Sequence, residues 1–344
     1  MTPPKVLLTG ISGFLGSHTA IQLLNKGYLV TGTLRSLSRA ASIRSAISTH
    51  TDKIENLSFA EADVLDAAVW DSLTVGMDFV QHIASPFPRE LPKNENELIR
   101  PAVDGTLNVL RAASKSGVRR VVVTSSIAAI FYGKSPDDRS GIRTEKDWTD
   151  PTNLKDTSAY FRSKTLAEKA AWDFIDQSKT KMGLSVVCPG AILGPVLEKD
   201  FGTSANMVIK IMDGSTPAIP RIGYEVVDVR SVAELLILAM EKAEAVNERF
   251  IGSAGFVDLK MIADLLRPKF PQYKIPKKML PDFLVRFISL FDKTIRPVLI
   301  DLGIRRTADA TKAPKVLGWT PISNEQSIID CAKSLIEVGV LKKK

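Results

Sequence analysis

The chain has 344 residues, 44% of them hydrophobic, enough to bury a sizeable core in one large domain or two interlocked ones. Its net charge of +8 is spread along the sequence with no dense basic-aromatic cluster, which argues against nucleic acid as a partner. Two cysteines and three histidines, none at metal-ligand spacing, argue against a metal centre or structural disulfides and for a reducing, cytoplasmic setting.

No signal-peptide pattern precedes the first apolar run, and no stretch reaches about 18 uncharged apolar residues. Short β-branched runs predict strands over residues 5–9, 28–34, 57–62, 78–84, 119–125, 184–189 and 249–252. Between them, periodic apolar spacing predicts helices near 14–26, 38–47, 66–73, 95–115, 159–178 and 228–242. This alternation specifies an α/β fold with a doubly wound parallel sheet of the Rossmann type. Residues 1–190 and 225–252 form the expected nucleotide domain. The irregular, proline-rich stretches 191–224 and 253–344 form a smaller, mostly C-terminal substrate lobe over the strand carboxyl ends. Within the lobe, residues 283–291 read as a membrane-surface helix or, preferably, as an amphipathic helix packed on its own domain.

The first strand runs directly into Gly10-Ile11-Ser12-Gly13-Phe14-Leu15-Gly16 and then a helix. Glycines at such a turn let the backbone approach a pyrophosphate, and the helix N-terminus offers N–H groups and a positive dipole end. The spacing is G-x-x-G-x-x-G rather than G-x-G-x-x-G, and a plain turn needing positive φ is the alternative. After the second strand, where a chain selecting NAD commonly places a carboxylate, stand Arg35 and Arg39. Cations there suit the 2′-phosphate of NADP, the alternative being two exposed charges at a helix start. Farther on, a strand ends in Thr124-Ser125-Ser126, and Tyr160 and Lys164 stand four apart in a helical run. At that spacing phenol and ammonium leave one helical face. A lysine held close brings the tyrosine pKa toward the working range.

The segments GISGFLGSH, HIASPFP, VDGTLNVLRAA, RRVVVTSS and AYFRSKTLAEKAAWDF together resemble the extended short-chain dehydrogenases/reductases. Within that group they resemble the branch of dihydroflavonol reductases, cinnamoyl-CoA reductases and microbial aldehyde or ketone reductases. The likeness covers residues 4–255 and thins afterwards, where KVLGWTP is a remaining piece. It implies NADP(H) held by Gly10, Ser12, Gly13, Phe14, Leu15 and Gly16, with Arg35 and Arg39 at the 2′-phosphate and Asp63 and Val64 at the adenine. Ile83, Ala84, Ser85 and Thr124 would line the ribose and nicotinamide, and Pro189, Gly190 and Ile192 would pack on the nicotinamide face. The resemblance also implies Ser126, Tyr160 and Lys164 as the catalytic set. Ser126 is preferred to Ser125 because the family's serine is the last hydroxyl before the apolar residues that follow. Pro101 stands where sugar-nucleotide relatives carry asparagine, which favours a reductase.

Phe87, Ile127, Tyr132, Phe201 and Tyr224 are the candidate substrate wall, each of them equally suited to core. An apolar and aromatic wall suits an aldehyde or ketone with an aryl or alkyl body. Ile130 and Phe131 lie where flavonoid reductases carry an asparagine, so a dihydroflavonol is disfavoured. The expected activity is NADPH-dependent reduction of an aldehyde or ketone. A nucleotide-sugar epimerase or dehydratase and an NAD-dependent hydroxysteroid dehydrogenase are the alternatives, both opposed by Arg35. A cofactor-binding regulator without turnover is opposed by the intact Ser126, Tyr160 and Lys164. Expected partners are a small carbonyl substrate, with no nucleic acid and no membrane insertion, and the chain is expected to be a monomer or homodimer.

Overall fold

Val6, Leu7 and Leu8 are wholly buried because the first strand lies inside a sheet, flanked on both sides by parallel neighbours. The structure is a computed structural model that describes residues 3–85 and 94–342, the side chains of residues 293 and 294 excepted. Seven strands make the main sheet: β1 (Lys5–Thr9), β2 (Leu29–Leu34), β3 (Leu57–Glu61), β4 (Phe79–His82), β5 (Arg120–Thr124), β7 (Gly183–Pro189) and β11 (Glu248–Gly252). Their order is β11-β7-β5-β4-β1-β2-β3, and all pairs are parallel. The winding reverses between β1 and β4, so the crevice beyond their carboxyl ends is where such a sheet binds ligands.

Helices α1 (Phe14–Asn25), α2 (Ala40–Ser48) and α8 (Val229–Glu241) close one face around Val6, Leu8 and Val30. On the other face α3 (Ala67–Leu73), α4 (Asn96–Lys115), α5 (Ala128–Phe131) and α6 (Ala159–Gln177) cover Leu7, Val80 and Val121. Alternate residues of β1 thus serve the two cores, as the strand period of two requires.

The smaller lobe is built on a three-stranded sheet of β8 (Ala191–Leu193), β10 (Gly223–Asp228) and β12 (Phe256–Asp258). With α7 (Asn206–Met212), α9 (Leu259–Lys269) and α12 (Asn324–Glu337) it encloses a separate core around Val208, Ile262 and Leu335. Two short pairs tie remote segments together: β6 (Ile142–Arg143) with β14 (Thr307–Ala308), and β9 (Ile219–Pro220) with β13 (Met279–Leu280). Helix α11 (Lys312–Leu317) and Trp319 pack back on the nucleotide domain, the indole donating to the Ser231 carbonyl at 2.8 Å, so the C-terminal stretch serves both parts. Helix α10 (Asp282–Phe291) packs on its own domain through Val285, in a small cluster with Ile222 and Leu302, as expected, while among the described residues Phe283, Phe287, Leu290 and Phe291 stay exposed. Among the described residues no helix is long and apolar enough to cross a membrane.

Candidate active site

The turn between β1 and α1 is drawn tight by its glycines. Gly10 has φ +73°, and a Cβ there would lie 2.9 Å from the backbone of Ala84 at the end of β4. A Cβ on Gly16 would fall 2.1 Å from the Gly10 carbonyl oxygen. The start of α1 has Gly13 as its cap with no side-chain acceptor, leaving the first-turn N–H groups for a ligand. Phe14 is half-buried, Leu15 lies in the core beneath, and Ser12 is partly exposed beside the open turn.

Thr9, which the motif reading passed over, aligns the neighbouring strand end. Its hydroxyl accepts from the Ile83 and Ala84 N–H groups at 3.1 and 3.0 Å and lies 3.0 Å from His82 Nδ1. The signal available in the sequence was only its place as the last residue of β1. Burial, with a contribution from Lys164, lowers the His82 pKa to about 3, so the imidazole is neutral at physiological pH.

Beyond β5 the chain continues along β7: Ser125 N–H donates to the Val187 carbonyl at 2.8 Å and Ile127 N–H to the Pro189 carbonyl at 3.0 Å. The two serines then diverge. Ser125 Oγ donates to buried Glu168 at 2.6 Å, whereas Ser126 Oγ accepts from Ala128 N–H at 3.1 Å and lies near enough to the Tyr160 phenol to favour its ionised form. Ser158 caps α6 by accepting from Phe161 N–H, which fixes the helix start two residues before Tyr160. One turn on, Lys164 Nζ donates to the Thr124 carbonyl at 3.4 Å.

Burial lowers the Lys164 pKa to about 8, opposed by Cys188 and Glu168. The Tyr160 pKa is raised by burial, with the Ser126 hydrogen bond opposing. This differs from the expected depression by lysine. The ammonium is itself desolvated and directed to the Thr124 carbonyl, so removal from water dominates at the phenol.

Between the ends of β4 and β5 and α6 lies a cavity of about 20 Å³, lined by His82, Ser85, Thr124, Lys164 and Glu168 among others. Thr124 Oγ1 is buried with no hydrogen-bond partner among the described residues. An orphaned hydroxyl here, an uncapped helix start and a glycine cradle that a Cβ would fill together fit a dinucleotide running from α1 to Lys164. Gly190 sits under Glu225, whose carbonyl oxygen would be 2.4 Å from an added Cβ, and Pro189 ends β7. Ile192 lies on β8 beside Val227 and packs against the core under α1 and α8.

At the adenine end, Asp63 is exposed and accepts from Leu65 N–H at 2.8 Å, while Asp66 caps α3. Val64 packs beneath Gly105 of α4. Arg35 is exposed past the end of β2. Arg39 is engaged: its guanidinium bridges Glu198 at 2.9 Å and Asp200 at 2.8 Å, both from the smaller lobe.

Glu168, another residue the motifs did not flag, follows Lys164 by one turn, completing a row of Tyr160, Lys164 and Glu168 at four-residue spacing. Its buried carboxylate accepts from Ser125, from Trp172 at 3.3 Å, and from Arg249 Nε at 2.5 Å and Nη2 at 3.3 Å. Arg249 also donates to the Glu145 and Asp147 carbonyls and lies 3.8 Å over the Trp148 ring. Cys188 is buried with its thiol pKa pushed up by desolvation. Among the described residues no group of side chains could hold a metal ion.

Of the two readings open for Tyr132, substrate wall or core, its surroundings favour core. Its ring is stacked 3.7 Å from Phe161, covered by the Arg306 guanidinium at 4.5 Å, and its hydroxyl meets Asp301 at 3.3 Å. Only 5% of it is exposed, so it is core, held by a buried charged cluster. Ile127 is nearly buried beside Ser126. Phe201 packs against the lobe core next to Phe14, and Tyr224 belongs to a small cluster with Ile222, Val285 and Leu302. Phe87 lies outside the described residues.

A parallel nucleotide-binding sheet with Tyr160 and a desolvated Lys164 beside its switch-point crevice is an arrangement suited to a nicotinamide-linked oxidoreductase. The chain belongs to the NAD dependent epimerase/dehydratase family, which it matches over residues 6–251. It is 33% identical over 279 residues to a cinnamoyl-CoA reductase of Medicago truncatula, covering 80% of this chain and 84% of that one. It is 32% identical over 342 residues to tetraketide alpha-pyrone reductase 1 of Arabidopsis thaliana, covering 98% and 97%. Among solved structures, the yeast methylglyoxal/isovaleraldehyde reductase Gre2 complexed with NADPH superposes with a TM-score of 0.80 at 27% identity, covering 98% of this chain and 100% of that one. The extended reductase branch expected from the motifs is thus the one the relatives occupy.

Proposed function

We propose that this protein reduces an aldehyde or ketone to the alcohol with NADPH, with Tyr160 as proton donor. The observation that carries the reading is the placement of Tyr160 and Lys164 one turn apart on α6, with Lys164 Nζ 3.4 Å from the Thr124 carbonyl at the strand-end crevice beside Ser126. The named activities of the reductase relatives and the NADPH bound to the yeast structure support it.

Bound NADPH supplies the hydride. Ser126 and Tyr160 hold the carbonyl oxygen by two hydrogen bonds, which strengthen as negative charge develops there. Tyr160 then passes its phenolic proton to that oxygen. A phenol whose pKa burial has raised is fully protonated at neutral pH and ready to donate. Lys164 would bond the nicotinamide ribose and, through its charge, ease loss of the phenolic proton. Glu168 and Arg249 hold the floor beneath Ser125, keeping Ser126 aimed at the tyrosine. The two buried thiols suit a reducing, cytoplasmic setting.

The test is NADPH or NADH consumption across aliphatic, aromatic and α-dicarbonyl compounds, with Tyr160→Phe run beside the parent. Removing the proton donor should cut kcat by about 10²–10⁴-fold with NADPH binding largely kept. Near-parental turnover by Tyr160→Phe would overturn the role. Tightly retained NAD and no turnover of any carbonyl would transfer the reading to a nucleotide-sugar epimerase or dehydratase.

A further inference from the structure

Helix α10 has two apolar sides and the fold uses one. Val285 and Ser289 face the small core of Ile222, Leu302 and Tyr224. At 3.6 residues per turn, Phe283, Phe287 and Leu290 centre roughly 150° around the helix from that contact. Phe283 is 70% exposed, Phe287 58%, Leu290 66% and Phe291 77%. The Phe287 and Phe291 rings pack edge to face, 5.4 Å apart, so they form one surface. The three phenylalanines alone present on the order of 400 Å² of hydrocarbon, a patch of the size that marks interaction sites.

The charge around this surface selects its occupant. Residues 277–296 carry five cations, Lys277, Lys278, Arg286, Lys293 and Arg296, against two carboxylates, Asp282 and Asp292. Asp282 is already paired with a further cation, Arg221, at 2.6 Å. Lys277, Lys278 and Arg286 are exposed. A second copy of this chain docking here about a two-fold axis would set those cations against themselves. An interfacial helix with a phenylalanine-rich side and a cationic border instead matches a bilayer with anionic headgroups. We infer that α10 docks the protein on an anionic membrane surface, with Phe283, Phe287, Leu290 and Phe291 entering the acyl boundary and Lys277, Lys278 and Arg286 meeting the headgroups. The inference is independent of the carbonyl-reductase reading, since none of these residues touches the catalytic set.

The test is flotation of the full chain with vesicles of phosphatidylcholine alone and of phosphatidylcholine mixed with phosphatidylserine, at low and high salt. Binding is expected on the mixed vesicles at low salt and weakens as salt rises. Phe283→Ser, Phe287→Ser and Phe291→Ser should each lower the partition coefficient roughly tenfold or more. Lys278→Glu and Arg286→Glu should each lower it at least about fivefold. The positions are exposed, so the variants should keep the parent's thermal unfolding and NADPH binding. A parent that stays unbound on mixed vesicles at low salt overturns the proposal. So does equal flotation on both vesicle types, which would remove the anionic selectivity. A dimer in solution that Phe287→Ser converts to monomer would assign the face to a second copy instead.

Discussion

Glu168 and Arg249 form the buried pair on which the Ser125 strand end rests, and breaking it tests the energetics of the candidate site. The Glu168 side chain is wholly buried and that of Arg249 is 8% exposed. Glu168→Gln leaves a guanidinium in the interior with no counter-charge, at a cost of about 3–5 kcal/mol. The lower end, about 3 kcal/mol, is expected because the Glu145 and Asp147 carbonyls and the Trp148 ring remain around Arg249. Arg249→Met leaves the carboxylate with only the neutral donors Ser125, Trp172 and Cys188 and should cost a similar amount. The double variant removes both charges at nearly constant volume, and its loss should fall at least ~2 kcal/mol short of the sum. Urea unfolding of the four proteins at pH 7 measures this directly. Additivity within about 0.5 kcal/mol would refute the claim that the pair is coupled in the folded state. Since Glu168 also holds the Lys164 pKa up, Glu168→Gln should carry that amine below about 8.

Gly16→Ala would set a methyl against the Gly10 carbonyl. It should weaken NADPH binding at least tenfold and cost about 1–3 kcal/mol of stability, and cofactor titration with parental affinity would discard the cradle. Glu198→Gln combined with Asp200→Asn frees Arg39, so NADPH should bind up to about fivefold tighter for each bridge removed, with NADH unchanged. No change in NADPH affinity would take Arg39 out of the phosphate site. Burial lowers the pKa of His18 to about 4 and that of His82 to about 3. Below about pH 6.5 the unfolded chain therefore binds more protons than the folded one, and each histidine removes up to ~1.4 kcal/mol of stability per pH unit down to its folded pKa. His82→Asn should flatten the acid limb of the stability profile; a variant that loses stability in parallel with the parent would show that His82 is not its source.

The alternation of strands and helices was legible because it is written in local periods. β1 is five residues long and buried on both sides, which leaves the continuous apolar run at Val6, Leu7 and Leu8. The glycine turn was legible for a related reason: the positive φ of Gly10 and the approach of Gly16 to the Gly10 carbonyl are local demands of backbone geometry, whereas the approach of Gly10 to Ala84 is not. Tyr160 and Lys164 needed only the helical repeat. The face of α10 was different. Its pattern announced an amphipathic helix, but hydropathy alone does not say whether an apolar side meets protein or solvent.

The chain order by itself determined the parallel sheet, the nucleotide turn and the shared face of Tyr160 and Lys164, since each follows from residues within a few positions of one another. The family resemblance already preferred Ser126 to Ser125, but only the tertiary structure supplied Ser125 with its buried partner, Glu168. Only it joined Glu168 to Arg249 across 81 positions and Arg39 to Asp200 across 161. It also chose core over pocket wall for Tyr132, which lies buried beneath Arg306. Such partners are chosen by which surfaces meet when the sheet and lobe close. Many residue types satisfy the same local pattern, and burial and charge pairing select among them only in three dimensions.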